Sequence, residues 1–217
     1  YVEAQGASQN GWKGDPNPQA NNPIGLYQYY AVVGDPKSFP LTFQAGRQEL
    51  SYGEERLIGG FIWDNIGRVF DAAKLRYAQD SFWIDAFAGS LVLPVNQGTD
   101  VVNWDEVFWG IYSQARKLVP LSIAEFYFLG DNADNDSPLN VGTVQRGNSP
   151  RDIYTLGTHL KSDPTQLKSW YYDVEMAVQG GQFQYPQGTP QIVSGQKLDH
   201  WAYALHFEAG YQFTDRK

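Results

Sequence analysis

The sequence predicts an all-β fold, an antiparallel transmembrane β-barrel in which residues 1–217 form a single domain. Several segments alternate bulky apolar residues with polar or small ones, which is the period of a β-strand with two different faces. The apolar faces are long and unbroken and carry Trp or Tyr near an end, where membrane barrels have aromatic girdles. The composition agrees, because 7 Trp, 14 Tyr and 12 Phe favour strands and 22 Gly favour turns.

The elements follow one another as strands separated by turns and loops. The predicted strands are Tyr1–Ser8, Ile24–Val33, Leu41–Leu50, Val69–Ala78, Ser81–Leu93, Trp104–Gln114, Leu121–Leu129, Asp152–Lys161, Trp170–Gln179 and His200–Phe213. A hairpin is expected across Gln79-Asp80, and Asp35-Pro36 and Arg116-Lys117 mark other tight turns. The polar stretches 94–103, 130–151 and 180–198 are long loops. Alternating short turns and long loops suit the periplasmic and extracellular ends of a barrel, but no path is predicted for 51–60.

The last two strands show the alternation most clearly. Each is long enough for a membrane strand of about 9–11 residues, and each ends its apolar face with aromatic residues. We therefore expect the girdle aromatics on the lipid-facing surface. They are Tyr30, Trp109, Tyr154, Trp170, Tyr172, Trp201, Tyr203 and Tyr211.

The composition also bears on other classes of function. A net charge of −8 and a pI of about 4.8 argue against a nucleic-acid partner. The chain has no cysteine, which excludes disulfides and thiolate metal sites. It has no run of about 18 apolar residues, which excludes a transmembrane helix. No serine-elbow or zinc motif is present, so no catalytic residue is predicted.

Five cations between positions 46 and 76 are the candidate site residues. They are Arg47, Arg56, Arg68, Lys74 and Arg76. In a barrel, Lys74 and Arg76 must face the lumen if Leu75 and Tyr77 face lipid, because a lipid-facing charge costs about 2–4 kcal/mol at the midplane. The alternative is surface charge paired with the acidic residues of the same stretch.

Other inward positions are acidic, which predicts a lumen of mixed charge. These positions are Glu125, Asp173, Glu175 and Glu208. Guanidinium groups bind carboxylates through paired hydrogen bonds, so a basic wall would still attract acidic sugars. The acidic residues leave open a neutral or differently charged oligosaccharide.

The stretch 46–76 resembles the alginate-export family of outer-membrane β-barrels. The resemblance is carried by Gly46-Arg47-Gln48-Glu49-Leu50, Tyr52-Gly53, Glu55-Arg56-Leu57-Ile58-Gly59, Trp63, Asn65, Arg68 and Phe70-Asp71. It implies a monomeric, porin-like channel in the bacterial outer membrane, which passes an anionic polysaccharide through an arginine-lined constriction. Because the family closes its barrel with about 18 strands, a number within the known range for such barrels, we expect this chain to form part of a barrel wall.

Two other classes of function compete with the channel. One is a soluble β-sandwich that binds carbohydrate through exposed aromatics, and the other is a β-rich glycosidase or polysaccharide lyase. Dependence on detergent separates the channel from both, and turnover of sugar would single out the enzyme.

Metal binding has weak support in the sequence, and no cofactor is predicted. The alternating carboxylates Asp131, Asp134 and Asp136 suggest calcium, but the spacing is not that of an EF-hand, and a solvated loop is the alternative. His200 and His206 share a strand face about 20 Å apart, too far for one ion to bridge.

Overall fold

The computed structural model describes residues 1–8, 21–35, 38–62, 66–95, 99–134, 139–141, 144–146, 150–184 and 196–213. The strands in these ranges are β1 (Val2–Ser8), β2 (Asn21–Val33), β3 (Leu41–Gln48), β4 (Phe70–Gln79), β5 (Phe82–Leu93), β6 (Val101–Val102), β7 (Glu106–Ala115), β8 (Ser122–Ala133), β9 (Leu139–Val141), β10 (Val144–Arg146), β11 (Arg151–Ser162), β12 (Trp170–Gln184) and β13 (Lys197–Tyr211). No helix long and apolar enough to cross a membrane occurs in the described residues.

Eleven of these strands form one antiparallel sheet. Its order is β1-β2-β3-β4-β5-β7-β8-β11-β12-β13, with β6 paired to β5, while β9 and β10 form a separate two-stranded ribbon. In the described part of the chain β1 and β13 are the two edges and do not pair with each other, so the sheet is open. One sheet of this width is not the pair of packed sheets that defines a sandwich.

One face of the sheet is apolar and exposed. A continuous register row crosses nine strands through Val33, Phe43, Leu75, Ala86, Ile111, Phe128, Leu156, Val178 and Tyr203. All nine side chains are exposed. Soluble proteins rarely expose an apolar surface of this extent to water, so we assign this outer face to contact with lipid.

The opposite, inner face carries the buried core. Its side chains pack around the residues that the structure describes between β3 and β4, namely 49–62 and 66–69, which we call the inner segment. The core cluster comprises Leu50, Tyr52, Ile58, Phe70, Ala72, Phe87, Tyr112, Tyr127, Leu129 and Ala177. The first three belong to the inner segment, so this connection is part of the core rather than an external loop.

The predicted strands are confirmed, with shifts at their ends. β8 and β12 extend to Ala133 and Gln184, well beyond the predicted ends, and β6, β9 and β10 lie inside stretches expected to be loops. The β4–β5 turn is Asp80-Ser81 rather than Gln79-Asp80, because Gln79 already pairs with Phe82. This one-residue shift changes every cross-strand partner in the hairpin.

The girdle prediction is confirmed for the aromatics of the last strands. Trp201 and Tyr203 are 77% and 81% exposed, and Tyr154, Trp170 and Tyr211 are exposed as well. Tyr30 was placed on the wrong face. It pairs with Gly46, which pairs with Ala72, and this row alternates with the exposed row of Val33 and Phe43.

Candidate functional site

The inner segment starts at the end of the sheet that carries the long loops, and Tyr52 holds it against the inner face. The Tyr52 ring stacks on Tyr112 with centroids 4.6 Å apart and on Phe87 at 5.3 Å. Its hydroxyl donates a hydrogen bond of 2.8 Å to Oδ2 of Asp85, which is fully buried. Burial and the charge of Asp85 both raise the pKa of Tyr52, so the phenol keeps the proton that it donates.

Gly53 lets the inner segment touch the wall. Its φ of +61° lies in the left-handed region, which other residues adopt at a cost. A Cβ at this position would lie 2.7 Å from the Tyr112 hydroxyl oxygen and 3.3 Å from Glu125 Oε2. Any side chain would therefore push the inner segment away from β7 and β8.

The next residues of the inner segment bind the far wall through ion pairs. Arg56 contacts Glu175 through Nη1 at 2.8 Å and Asp173 through Nη2 at 3.2 Å, both on β12. Glu54 accepts a hydrogen bond of 2.8 Å from Lys161 Nζ on β11. The inner segment thus bridges from β3 and β4 to the opposite part of the sheet.

Buried polar groups under this bridge form one network around His159. The Nδ1 atom of His159 lies 2.9 Å from Glu125 Oε2, and its Nε2 atom lies 2.9 Å from Asp173 Oδ2. Glu125 also accepts hydrogen bonds from Tyr112 at 2.6 Å and Gln114 at 2.7 Å. The acidic inward residues are therefore largely occupied by partners of the protein itself.

Lys74 and Arg76 lie on the inner face, as their alternation with Leu75 and Tyr77 predicts. Arg76 forms a bidentate pair with Asp85, with Nε–Oδ1 at 2.6 Å and Nη2–Oδ2 at 2.7 Å. Its guanidinium carbon lies 4.6 Å from the centroid of the Trp83 ring. Lys74 is half-buried and has no ion pair within the described part of the chain.

Arg47 and Arg68 are placed differently. The row of Tyr29, Arg47 and Asp71 alternates with that of Lys74, so register puts Arg47 on the face opposite to Lys74. There Arg47 is buried and bonds Asp71 at 2.8 and 3.2 Å. Arg68, where the inner segment rejoins β4, lies over the ring of Phe61 and lines a cleft of about 250 Å³.

The structure therefore does not gather the five predicted cations into one ring. It brings Lys74 and Arg76 together on β4, anchors Arg56 against β12, and separates Arg47 from both. Sequence reasoning missed His159, Lys161, Asp85 and Tyr52, which hold the inner segment in place. The Arg76–Asp85 pair follows from the hairpin once its turn is placed at Asp80-Ser81.

Two groups could be considered for metals. Asp131 binds Arg151 at 2.7 Å rather than standing free in a loop, and Asp136 lies outside the described residues. The ligand atoms of Glu54, His159 and Asp173 lie within 4.8 Å of one another. Cations of the protein contact both carboxylates of this group, and positive neighbours oppose a metal ion.

The outer face is apolar and exposed, and the inner face carries packed aromatic residues together with charged and polar ones, with a connection folded across it. These are the features of a wall of a membrane-spanning β-barrel. The family model described as Alginate export matches residues 1–217, the whole chain. The chain belongs to the alginate-export family, a transport family that serves polysaccharide export at the outer membrane. No curated protein matches it.

Proposed function

We propose that this protein contributes the wall of a monomeric channel in the bacterial outer membrane, through which an anionic polysaccharide such as alginate diffuses without chemical change. The observation that carries the proposal is the inner segment. It packs across the inner face of the sheet, while the outer face presents its exposed apolar band. In a closed barrel such a segment forms a fixed constriction of the lumen, which suits the passage of a polymer rather than catalysis.

Charge on the inner face supports an anionic cargo. Lys74 has no ion pair among the described residues, and the Arg76 side chain is 40% exposed although it is paired with Asp85. Most carboxylates near the inner segment are bound to Arg56, Lys161 or His159. Their negative potential is thereby reduced, and Lys74 and Arg76 remain to attract uronate groups.

The pairing of Arg76 with Asp85 also suits the movement of a polymer through the channel. A guanidinium that already holds Asp85 binds a passing carboxylate weakly, so a charged polymer is attracted without being trapped. Arg68 adds a cation where the inner segment rejoins β4, whereas the charge of Arg56 is taken up by Asp173 and Glu175. The proposed pathway leaves out Arg47, because register puts it on the opposite face of the sheet.

Ion selectivity in planar lipid bilayers tests the proposal. Lys74→Gln should lower the preference for anions, measured as the reversal potential under a salt gradient. The matched control is Lys117→Gln, which removes the same charge from an exposed turn and should leave selectivity unchanged. Equal reversal potentials for Lys74→Gln and the unmodified channel would remove Lys74 from the pathway, and a protein that forms no channels would refute the proposal.

A further inference from the structure

A neutral polar chain lies on the inner face of the last strands, away from the cations. The Gln179 Nε2 atom donates to Thr155 Oγ1 at 2.8 Å, and the Gln179 Oε1 atom lies 2.7 Å from His200 Nε2. We call Thr155, Gln179 and His200 the neutral strip. It is not part of the network that holds the inner segment.

The hydrogen bonds fix which atoms of the strip act as donors and which act as acceptors. Because the Gln179 amide nitrogen is used by Thr155, its oxygen faces His200, and the imidazole must donate from Nε2. The Nδ1 atom is then an acceptor, and it has no partner among the described residues. The Phe183 ring lies edge-on to the imidazole, with the ring centroids 6.2 Å apart.

The neutral strip and Lys74 lie on one register row of the sheet. One register row runs from Lys74 through Phe87, Gly110, Leu129 and Thr155 to Gln179. Lys74 and Gln179 are five strands apart in the sheet order, which is about 24 Å along the wall at about 4.8 Å per strand. A polymer that passes along the inner face meets an ammonium group on β4 and neutral hydrogen-bonding groups on β12 and β13.

Gln179 and His200 are partly exposed on the inner face, whereas Thr155 is buried. Their inward neighbours on β12 and β13 are small on one side, namely Ala177, Ala202 and Ala204, and include Leu198 and Phe183 on the other. Charged groups repel or trap ionic cargo, but amide and imidazole groups exchange hydrogen bonds with hydroxyls, which every sugar carries.

We propose that the neutral strip is a second subsite of the channel, which binds the hydroxyl groups of the passing saccharide independently of its carboxylates. This rests on the proposed function, since it requires a saccharide in the lumen. The strip would hold neutral and acidic oligosaccharides alike, whereas Lys74 acts on acidic ones.

Blockade of single-channel current by added oligosaccharide tests the subsite. The probes are an alginate oligosaccharide and a neutral glucose oligosaccharide, applied to the full protein in planar bilayers. Gln179→Met and His200→Phe remove the polar groups at similar volume and should shorten the blocked dwell time roughly fivefold for both probes, as expected for one lost hydrogen bond. His200→Gln keeps an acceptor and should restore much of the dwell time.

Gln182→Met is the matched control, since it is the same change on β12 at a residue that bonds Asp199 instead. Dwell times are compared in channels whose salt conductance and reversal potential equal those of the unmodified protein, which shows that the fold and Lys74 are intact. Unchanged dwell times in both Gln179→Met and His200→Phe would overturn the subsite alone. Absence of blockade by either probe in the unmodified channel would overturn the proposed function and the subsite together.

Discussion

Replacing Arg76 by glutamine should destabilise the protein through the carboxylate that it leaves behind. Asp85 has no exposed surface, while the Arg76 side chain is 40% exposed. Breaking a buried ion pair from one side costs about 3–5 kcal/mol because the remaining charge is uncompensated. The partial exposure of Arg76 and the remaining hydrogen bond from Tyr52 to Asp85 favour the lower end, about 3 kcal/mol.

Equilibrium unfolding in urea with the protein in lipid vesicles measures this cost through tryptophan fluorescence. The double variant Arg76→Gln/Asp85→Asn removes both charges and should recover most of the lost stability, since no charge is stranded. The control is Lys74→Gln, two positions earlier on the same face and without an ion pair in the described residues.

Equal losses for Arg76→Gln and Lys74→Gln would refute the reasoning, because they would show that the paired and the unpaired cation are equivalent. No recovery in the double variant would show that the shape of the guanidinium over Trp83 matters more than its charge.

Three further predictions follow from single positions. Gly53→Ala should displace the inner segment and alter single-channel conductance, and the left-handed backbone alone should cost about 1–2 kcal/mol of stability. The control is Gly180→Ala, whose Cβ would meet ordinary contacts from 3.5 Å and which should leave conductance unchanged. An unaltered conductance in Gly53→Ala would contradict the close contact of Gly53 with Tyr112. Leu156→Arg, in the middle of the apolar band, should lower the free energy of unfolding in vesicles by about 2–4 kcal/mol. The same change at Leu118, which is similarly exposed but lies in a turn, should cost much less. Equal losses at the two positions would argue against a lipid-facing band. Hydrogen bonds from the Thr165 hydroxyl and amide lower the pKa of Asp163 below its ordinary 3.8. The ionised carboxylate therefore stabilises the fold above pH 3.8, and this stabilisation is lost as the pH falls through the lowered pKa. Asp163→Asn should reduce the urea midpoint at neutral pH and match the unmodified protein in acid, whereas a difference independent of pH would argue against a role for the charge.

The sequence by itself determined the strands and most of their outward faces. Lipid on one side of a strand imposes a requirement on each residue separately, because a charge such as Lys74 is expensive there whatever its neighbours are. That requirement is readable as alternation, which is why Lys74 and Arg76 were placed correctly. It fails for Arg47, where the stretch before the inner segment shows no clear alternation, and for Tyr30, because apolar residues follow one another on both faces of Ile24–Val33.

The tertiary structure decided where the inner segment lies and which charges it neutralises. Arg56 and Glu175 are 119 positions apart, and their contact depends on the register of every strand between them. Sequence periodicity cannot give this combined register, because a shift of one residue in a single turn, as at Asp80-Ser81, changes all cross-strand partners beyond that turn. Register likewise decides that the cationic part of the inner face around Lys74 and the neutral part around Gln179 lie on one row of the sheet, five strands apart.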